Sequence, residues 1–257
     1  MRGLKEKLQN PNNYTLFILG NGRKGYLERT IHSWETNLIE KPKHKIIFDD
    51  SGNNDYLNYL TEKFGNEYKI VQISDKPMGQ VYAINFIYKY LSKLDTEYFV
   101  ELEEDWILLR PIAVSKLIAI LKDNHNILQV RLPRTIVNIE DLKYGSTTAR
   151  LIDSDHTSIL NFITKDYESW YEWRGDMWFW SHNPSVYHKS MLSKIYPDSG
   201  IYDHEKTFGI NLLNENKDFV IAIYSSNIYD AYVHHIGIHN NNVLKYIESF
   251  DPFTETV

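Results

Sequence analysis

The chain has 257 residues, 42 % of them hydrophobic and 24 % charged, enough to bury one large core or two small ones. It contains no cysteine, which excludes disulfides and thiolate metal sites, and a net charge of −6 argues against a polycation that binds nucleic acid over its whole surface. The N-terminus, "MRGLKEKLQNPNNY", lacks the apolar core of a signal peptide, and no stretch approaches the roughly 20 apolar residues of a membrane span, so the expected location is cytoplasmic, with no integral membrane segment.

"YTLFIL" (14–19) reads as a buried strand, closed by the loop "GNGRKG". Leu27, Ile31, Trp34 and Leu38 then recur at helical spacing. "HKIIF" (44–48) is a second strand, ending in the turn-rich cluster "DDSGNN", and "YKIVQI" (68–73) is a third. A helix follows, with Ile84, Ile87, Tyr88 and Leu91 on one face. "EYFVEL" (97–102) is a fourth strand and runs directly into Glu103, Glu104 and Asp105. Pro111 suits the first turn of another helix, whose apolar face is Val114, Leu117, Ile118 and Leu121. The second half is less regular: "ILQVRL", an aromatic-rich stretch at 167–180, the strand "FVIAIY" (219–224), and "YVHHIGIH" near the end.

This β-α-β-α order predicts an α/β fold with a mostly parallel sheet flanked by helices. The second half is expected to extend that sheet as a mixed, loop-bearing portion of the same domain. Ligands of such sheets bind at the carboxyl ends of the strands, and "GNGRKG", "DDSGNN" and "EEDW" all sit there.

The acidic triplet needs compensation, because three carboxylates leaving a buried strand cannot all face bulk water. A hard cation, Mg²⁺ or Mn²⁺, bound through one or two carboxylates plus substrate phosphates, is one solution. A salt bridge to Arg110 or a solvated turn is the other. A late His from "VHHIG" (233–237) would add a nitrogen ligand to an oxygen-rich site. "DDSG" (49–52) offers carboxylates to a ribose or a base N–H, or is a plain Asx-type turn.

Taken together, "GYLERTIHSW", "IIFDDSG", "GQVYAINFIYKYL", "LEEDW" and "VHHIG" resemble the nucleotide-diphospho-sugar glycosyltransferases of the GT-A fold, in their small, family-2-like and in part virus-encoded form. The resemblance covers about residues 14–240, and "LEEDW" is its most specific piece. It implies one GT-A domain over 1–257, with a nucleotide-sugar-binding half at about 14–110, an acceptor-side half at about 111–240 and a tail at 241–257. Asp49 or Asp50 would contact the nucleoside, and Gly79 and Gln80 would let the backbone approach the donor. Glu103, Glu104 and Asp105 stand where the family has its Asp-x-Asp motif, here Glu-Glu-Asp. Asp105 would hold the metal, with Glu103 at the ribose or a metal-bound water. His235 matches the late metal-binding His, and His234 is the alternate. In inverting members a carboxylate at the start of a helix deprotonates the acceptor, and "GIYDHEKTFGINLL" (200–213) fits that place, with Glu205 as base and Asp203 and Asp176 as rivals. "GDMWFWSHNPSVYHKSML" resembles the acceptor-side segment. There Trp178, Trp180 and Asn183 would meet the sugar or acceptor, unless the aromatics form a core strand.

The implied reaction moves a sugar, glucose as the plainest guess, from a UDP-sugar to a hydroxyl with the help of Mn²⁺ or Mg²⁺. The acceptor would be a glycan or a hydroxymethylated pyrimidine in phage DNA. "RLPR" with Arg131 and Arg134 and the run "KPKHK" are the features that favour DNA. Two other readings stand beside it: a non-catalytic nucleotide-sugar or glycan-binding module, and a metal-dependent nucleotidyltransferase using "GNGRKG" as its phosphate loop.

Overall fold

The computed structural model describes residues 13–135, 159–165, 168–174, 179–198, 200, 204–225 and 231–237. The first half runs β1 (Tyr14–Gly20), α1 (Lys24–Asn37), β2 (His44–Asp49), α2 (Asn54–Phe64), β3 (Lys69–Gln72), α3 (Gln80–Leu91), β4 (Tyr98–Glu103), β5 (Trp106–Leu108) and α4 (Val114–Asp123). The second half adds β6 (Ile127–Arg131), β7 (Ile159–Lys165), β8 (Glu168–Trp173), β9 (Ser185–His188), a 3₁₀ turn (Lys189–Ser193), α5 (His204–Glu215), β10 (Val220–Tyr224) and β11 (Val233–His235).

The strands form a nine-stranded sheet in the order β3-β2-β1-β4-β9-β6-β10-β8-β7. The pairings make seven strands run one way, with only β8 and β9 reversed. The sheet is therefore mostly parallel, and its second half is the mixed extension expected from the sequence. A second ribbon pairs β5 with β11 antiparallel.

The central strands are apolar on both sides because both sides are covered. Tyr14, Leu16 and Ile18 of β1 pack with Leu27, Ile31 and Trp34 of α1, while Phe17 packs on the opposite face with Ile84 and Ile87 of α3. The first layer also receives α2 and α4, and the second receives the 3₁₀ turn and α5. Strand β4 obeys the same period of two. Val100 and Leu102 face the first layer, and Phe99 faces the second, so Glu101 and Glu103 share the side of Phe99.

Two elements differ from the sequence expectation. Helix α2 was not foreseen, because "DDSGNN" reads as a turn. It is one, but Asn53 also caps the helix, its side chain accepting from the N–H groups of Asp55 (2.8 Å) and Tyr56 (3.2 Å). Helix α4 begins at Val114 rather than at Pro111. Ile112 is held extended by a bridge to Leu38 and a bond from its N–H to Asn37 O, which delays the helix. Among the described residues no helix is long and apolar enough to cross a membrane, and the tail at 241–257 lies outside them.

Candidate active site

The register places Leu19 beside Glu103 and Gly20 beside Asp49, so the three polar clusters meet at one sheet edge. Gly20 makes room there: a Cβ would stand 3.2 Å from Glu104 Oε2 and 3.4 Å from the Tyr56 hydroxyl, close enough that the Glu104 carboxylate would have to shift by a few tenths of an ångström.

The acids are compensated by a residue from the first loop. Arg23 Nε lies 2.6 Å from Glu104 Oε1, and its Nη1 lies 2.9 Å from Asp105 Oδ2. The Arg23 backbone N–H, at the start of α1, donates to Glu104 Oε2 at 3.3 Å, and the Tyr56 hydroxyl stands 3.4 Å from the same oxygen. The salt-bridge partner is thus Arg23 and not Arg110, whose guanidinium covers the Tyr232 ring at 5.0 Å. Burial pushes the Glu104 carboxyl up, and the contacts from Arg23 offset this only in part. Burial acts on Asp105 as well, but His235 and Arg23 outweigh it and hold that carboxyl below its ordinary range. Glu103 is pushed up to about 8, by burial first and then by the charge of Asp105, with Glu205 adding to it.

Strand β11 brings the late histidines to this edge. His235 pairs with Trp106 across the ribbon, and their rings stack at 4.3 Å. Its Nε2 lies 3.2 Å from Asp105 Oδ2. Neighbouring strand residues face opposite ways, and His234 turns its Nδ1 to Thr135 Oγ1 at 2.5 Å. His235, not His234, therefore meets Asp105. Gly237 closes the turn because a Cβ there would fall 2.0 Å from Asp105 Oδ2.

Among the described residues no group of three or more His, Asp or Glu could hold a metal by itself. Asp105 and His235 do offer a pair, and Asp105 Oδ1 and His235 Nδ1 are buried without a hydrogen-bond partner. A carboxylate and an imidazole suit Mg²⁺ or Mn²⁺ when substrate phosphates and water complete the shell.

At the β2 end, Asp49 Oδ1 accepts from Ser51 N–H at 2.8 Å, while Oδ2 is buried and unpartnered. Asp50 accepts from Met78 N–H at 3.3 Å, which ties the loop before α3 to the strand end. Gly52 (φ 61°) permits this contact, since a Cβ would lie 2.2 Å from Lys76 Cα. Gly79 precedes α3 at φ 84° with open space where a Cβ would project, and Gln80 opens the helix half-buried.

Across from these, α5 begins at His204 with Glu205 in its first turn. Glu205 Oε1 accepts from the His182 backbone N–H at 2.7 Å. Gly209 lets α5 come this close, because a Cβ would meet Trp180 N at 2.9 Å. Trp180 does not offer a face to a sugar. It is fully buried against Tyr187 (5.7 Å) and Phe208 (5.4 Å), so for Trp180 the core reading is the one observed, though not as a strand. Asn183 is half-buried beside this segment, its N–H donating to Ser181 Oγ. Asp176, Trp178 and Asp203 lie outside the described residues.

Sequence reasoning passed over Arg23, Glu101 and His182. Glu101 Oε1 meets His182 Nδ1 at 2.5 Å, both residues nearly inaccessible. The signal for Glu101 was available: an acid at an interior position of an otherwise apolar strand. Neither Arg23 nor His182 had one, because their partners are distant in sequence.

No protein-family model matches the sequence, and no curated protein matches it. Solved structures do. Staphylococcus aureus TarS 1–349 aligns at 14 % identity over 86 % of this chain, with a TM-score of 0.56. The same protein in complex with UDP-GlcNAc aligns at 13 % identity over 90 %, with a TM-score of 0.58. The mannosyltransferase PcManGT from Pyrobaculum calidifontis, in complex with GDP-Man and Mn²⁺, aligns at 8 % identity over 91 %, with a TM-score of 0.58. The chain spans about 60 % of the length of these structures. Similarity at such identities is similarity of architecture, and with the strand order and the β5–β11 ribbon it shows that this chain has a GT-A-like α/β fold.

Proposed function

We propose that the chain is a nucleotide-sugar-dependent glycosyltransferase that passes a sugar from a nucleoside diphosphate to an acceptor hydroxyl. The observation that carries this is the Asp105–His235 pair at the strand ends, with Glu205 on the acceptor side and close enough to act on the charge state of Glu103. Mn²⁺ or Mg²⁺, held by Asp105 and His235, would supply positive charge to the diphosphate leaving group. Asp49 Oδ2 is unpartnered and would accept from a ribose hydroxyl or a base N–H once the donor opens the strand end that covers it, and Asp50 keeps the Met78–Gly79 backbone at the donor side.

Glu205 is the base in this reading. Its carboxylate takes the acceptor O–H proton while the oxygen forms the new bond to the anomeric carbon. The bond from that carbon to the diphosphate breaks with its electron pair, and the anomeric centre inverts. General base assistance of this kind contributes about 10²–10⁴-fold. The donor is a UDP-sugar, in keeping with the UDP-GlcNAc bound to one structural neighbour, and glucose is the first sugar to try.

The acceptor is a glycan hydroxyl. A DNA acceptor would draw on Arg131, Arg134 and the "KPKHK" run. Arg131 is buried, and Lys43 and Lys45 are already paired with Asp95 and with Glu35 and Glu67, which favours the glycan over DNA. The test is a panel of nucleotide-sugars with Mn²⁺, read by release of free nucleoside diphosphate, followed by intact-mass analysis of glycans and hydroxymethylated DNA. Release of pyrophosphate would instead mark a nucleotidyltransferase, and binding without turnover a non-catalytic module.

A further inference from the structure

Glu101 and His182 form an ion pair inside the second layer of the fold, at 1 % and 2 % exposure. A buried pair of this kind is costly to desolvate, and apolar residues of similar size would often serve stability as well. Its location suggests what it serves. The segment carrying His182 is fixed on both sides: Ser181 O accepts from Gln129 Nε2 at 2.9 Å, and Pro184 O accepts from Leu132 N–H at 3.0 Å. The backbone N–H of His182 itself donates to Glu205 Oε1.

We propose that the Glu101–His182 pair positions Glu205, by fixing the segment whose N–H holds its carboxylate and by placing an imidazolium behind it, an inference that rests on the reading of Glu205 as base. The charged groups facing His182 are Glu101 and Glu103 from β4 and Glu205 from α5, and the Tyr196 ring packs at 5.0 Å. Burial disfavours the imidazolium, yet the charges of Glu101, Glu205 and Glu103 outweigh it and push His182 up to about 9. A cation at this place attracts the Glu205 carboxylate and helps to hold it where the His182 N–H points. His182 takes no part in the proton transfer and stays charged throughout.

Kinetics of Glu101→Gln and Glu101→Asp test this. The Gln variant leaves His182 without its nearest counter-charge, which loosens the segment whose N–H holds the Glu205 carboxylate. At saturating donor the expected result is kcat lowered about tenfold with donor KM within about twofold, and Glu101→Asp, which keeps the charge, should recover most of the loss. Equal loss in Glu101→Asp and Glu101→Gln would make the pair merely structural and overturn the proposal, as would unchanged kinetics. If Glu101→Gln does not fold, nitrogen NMR on the native protein decides: both ring nitrogens of His182 should carry protons at about pH 8, where an ordinary His is neutral. A neutral ring there overturns the proposal. Glu205→Gln separates the two readings. Full transfer by that variant sinks Glu205 as base, whereas an inactive Glu205→Gln beside a Glu101→Gln enzyme with native kinetics sinks only the positioning role.

Discussion

Arg23 Nη1 lies 2.9 Å from Asp105 Oδ2, the same carboxylate oxygen that His235 approaches at 3.2 Å. The loop after the first strand therefore supplies the counter-charge to an acidic cluster that emerges from the fourth.

Arg23→Ala should leave Glu104 and Asp105 without their main cation. Removing one partner of a buried pair costs about 3–5 kcal/mol, but Arg23 is 40 % exposed, so solvent screening reduces the expected loss to about 1–3 kcal/mol. Arg23→Lys should recover only part of it, because one ammonium cannot reproduce the fork that spans both acids. Thermal denaturation of the two variants checks this. Native melting temperatures in both would mean that the acids do not depend on Arg23.

Asp105→Asn should abolish Mn²⁺ binding and transfer while the fold persists, since the amide keeps the shape and loses the charge. Electron paramagnetic resonance titration of Mn²⁺ reads the binding, and circular dichroism the fold. Full turnover in EDTA after exhaustive dialysis would remove the metal from the reading.

Glu103→Gln should stabilise the metal-free protein in a pH-dependent way. The folded-state carboxyl titrates at about 8 against 4.5 for the free side chain. Between these values the native state retains a proton that the unfolded state has released, so wild-type stability falls as pH rises through the window. The amide has no such linkage. The variant should match wild type near the lower limit and exceed it at about pH 8, by roughly 1–3 kcal/mol after discounting for partial exposure. Parallel melting curves at all pH values would contradict the raised carboxyl.

Asp49→Ala and Asp50→Ala should differ. Asp49 has a free buried oxygen, so its loss should raise donor KM with little change in kcat, the mark of lost uniform binding. Asp50 holds the loop before α3, so its loss should also loosen that loop, seen as faster amide exchange at Met78 and Gly79. Unchanged donor affinity in both variants would send the nucleoside elsewhere.

Glu205→Gln should bind donor and Mn²⁺ normally and transfer sugar at least about a hundredfold more slowly, the low end for a lost general base. Single-turnover rates at saturating donor make the comparison. Near-native transfer by this variant, with Asp176→Asn inactive, would move the role to Asp176.

The layered α/β order, the sheet edge that carries the polar clusters and the place of Glu205 in a helical first turn were all legible in the chain before it folds. These follow from local rules: a period of two in strands, a helical period between them, and turn residues where strands end. The same rules could not name Arg23 as the basic side chain beside the acidic triplet, nor separate His234 from His235 as the neighbour of Asp105, nor a core Trp180 from a sugar-facing one. Each of those is decided by which residues the sheet brings together from far apart. Arg23 reaches Glu104 only because β1 lies beside β4, and His235 faces Asp105 because the β5–β11 register sets its parity. Glu101 meets His182 because β9 pairs with β4 and carries the preceding segment over that face of the sheet. Charge compensation in a folded chain depends on distance in space, and that distance exists only once the strands have paired.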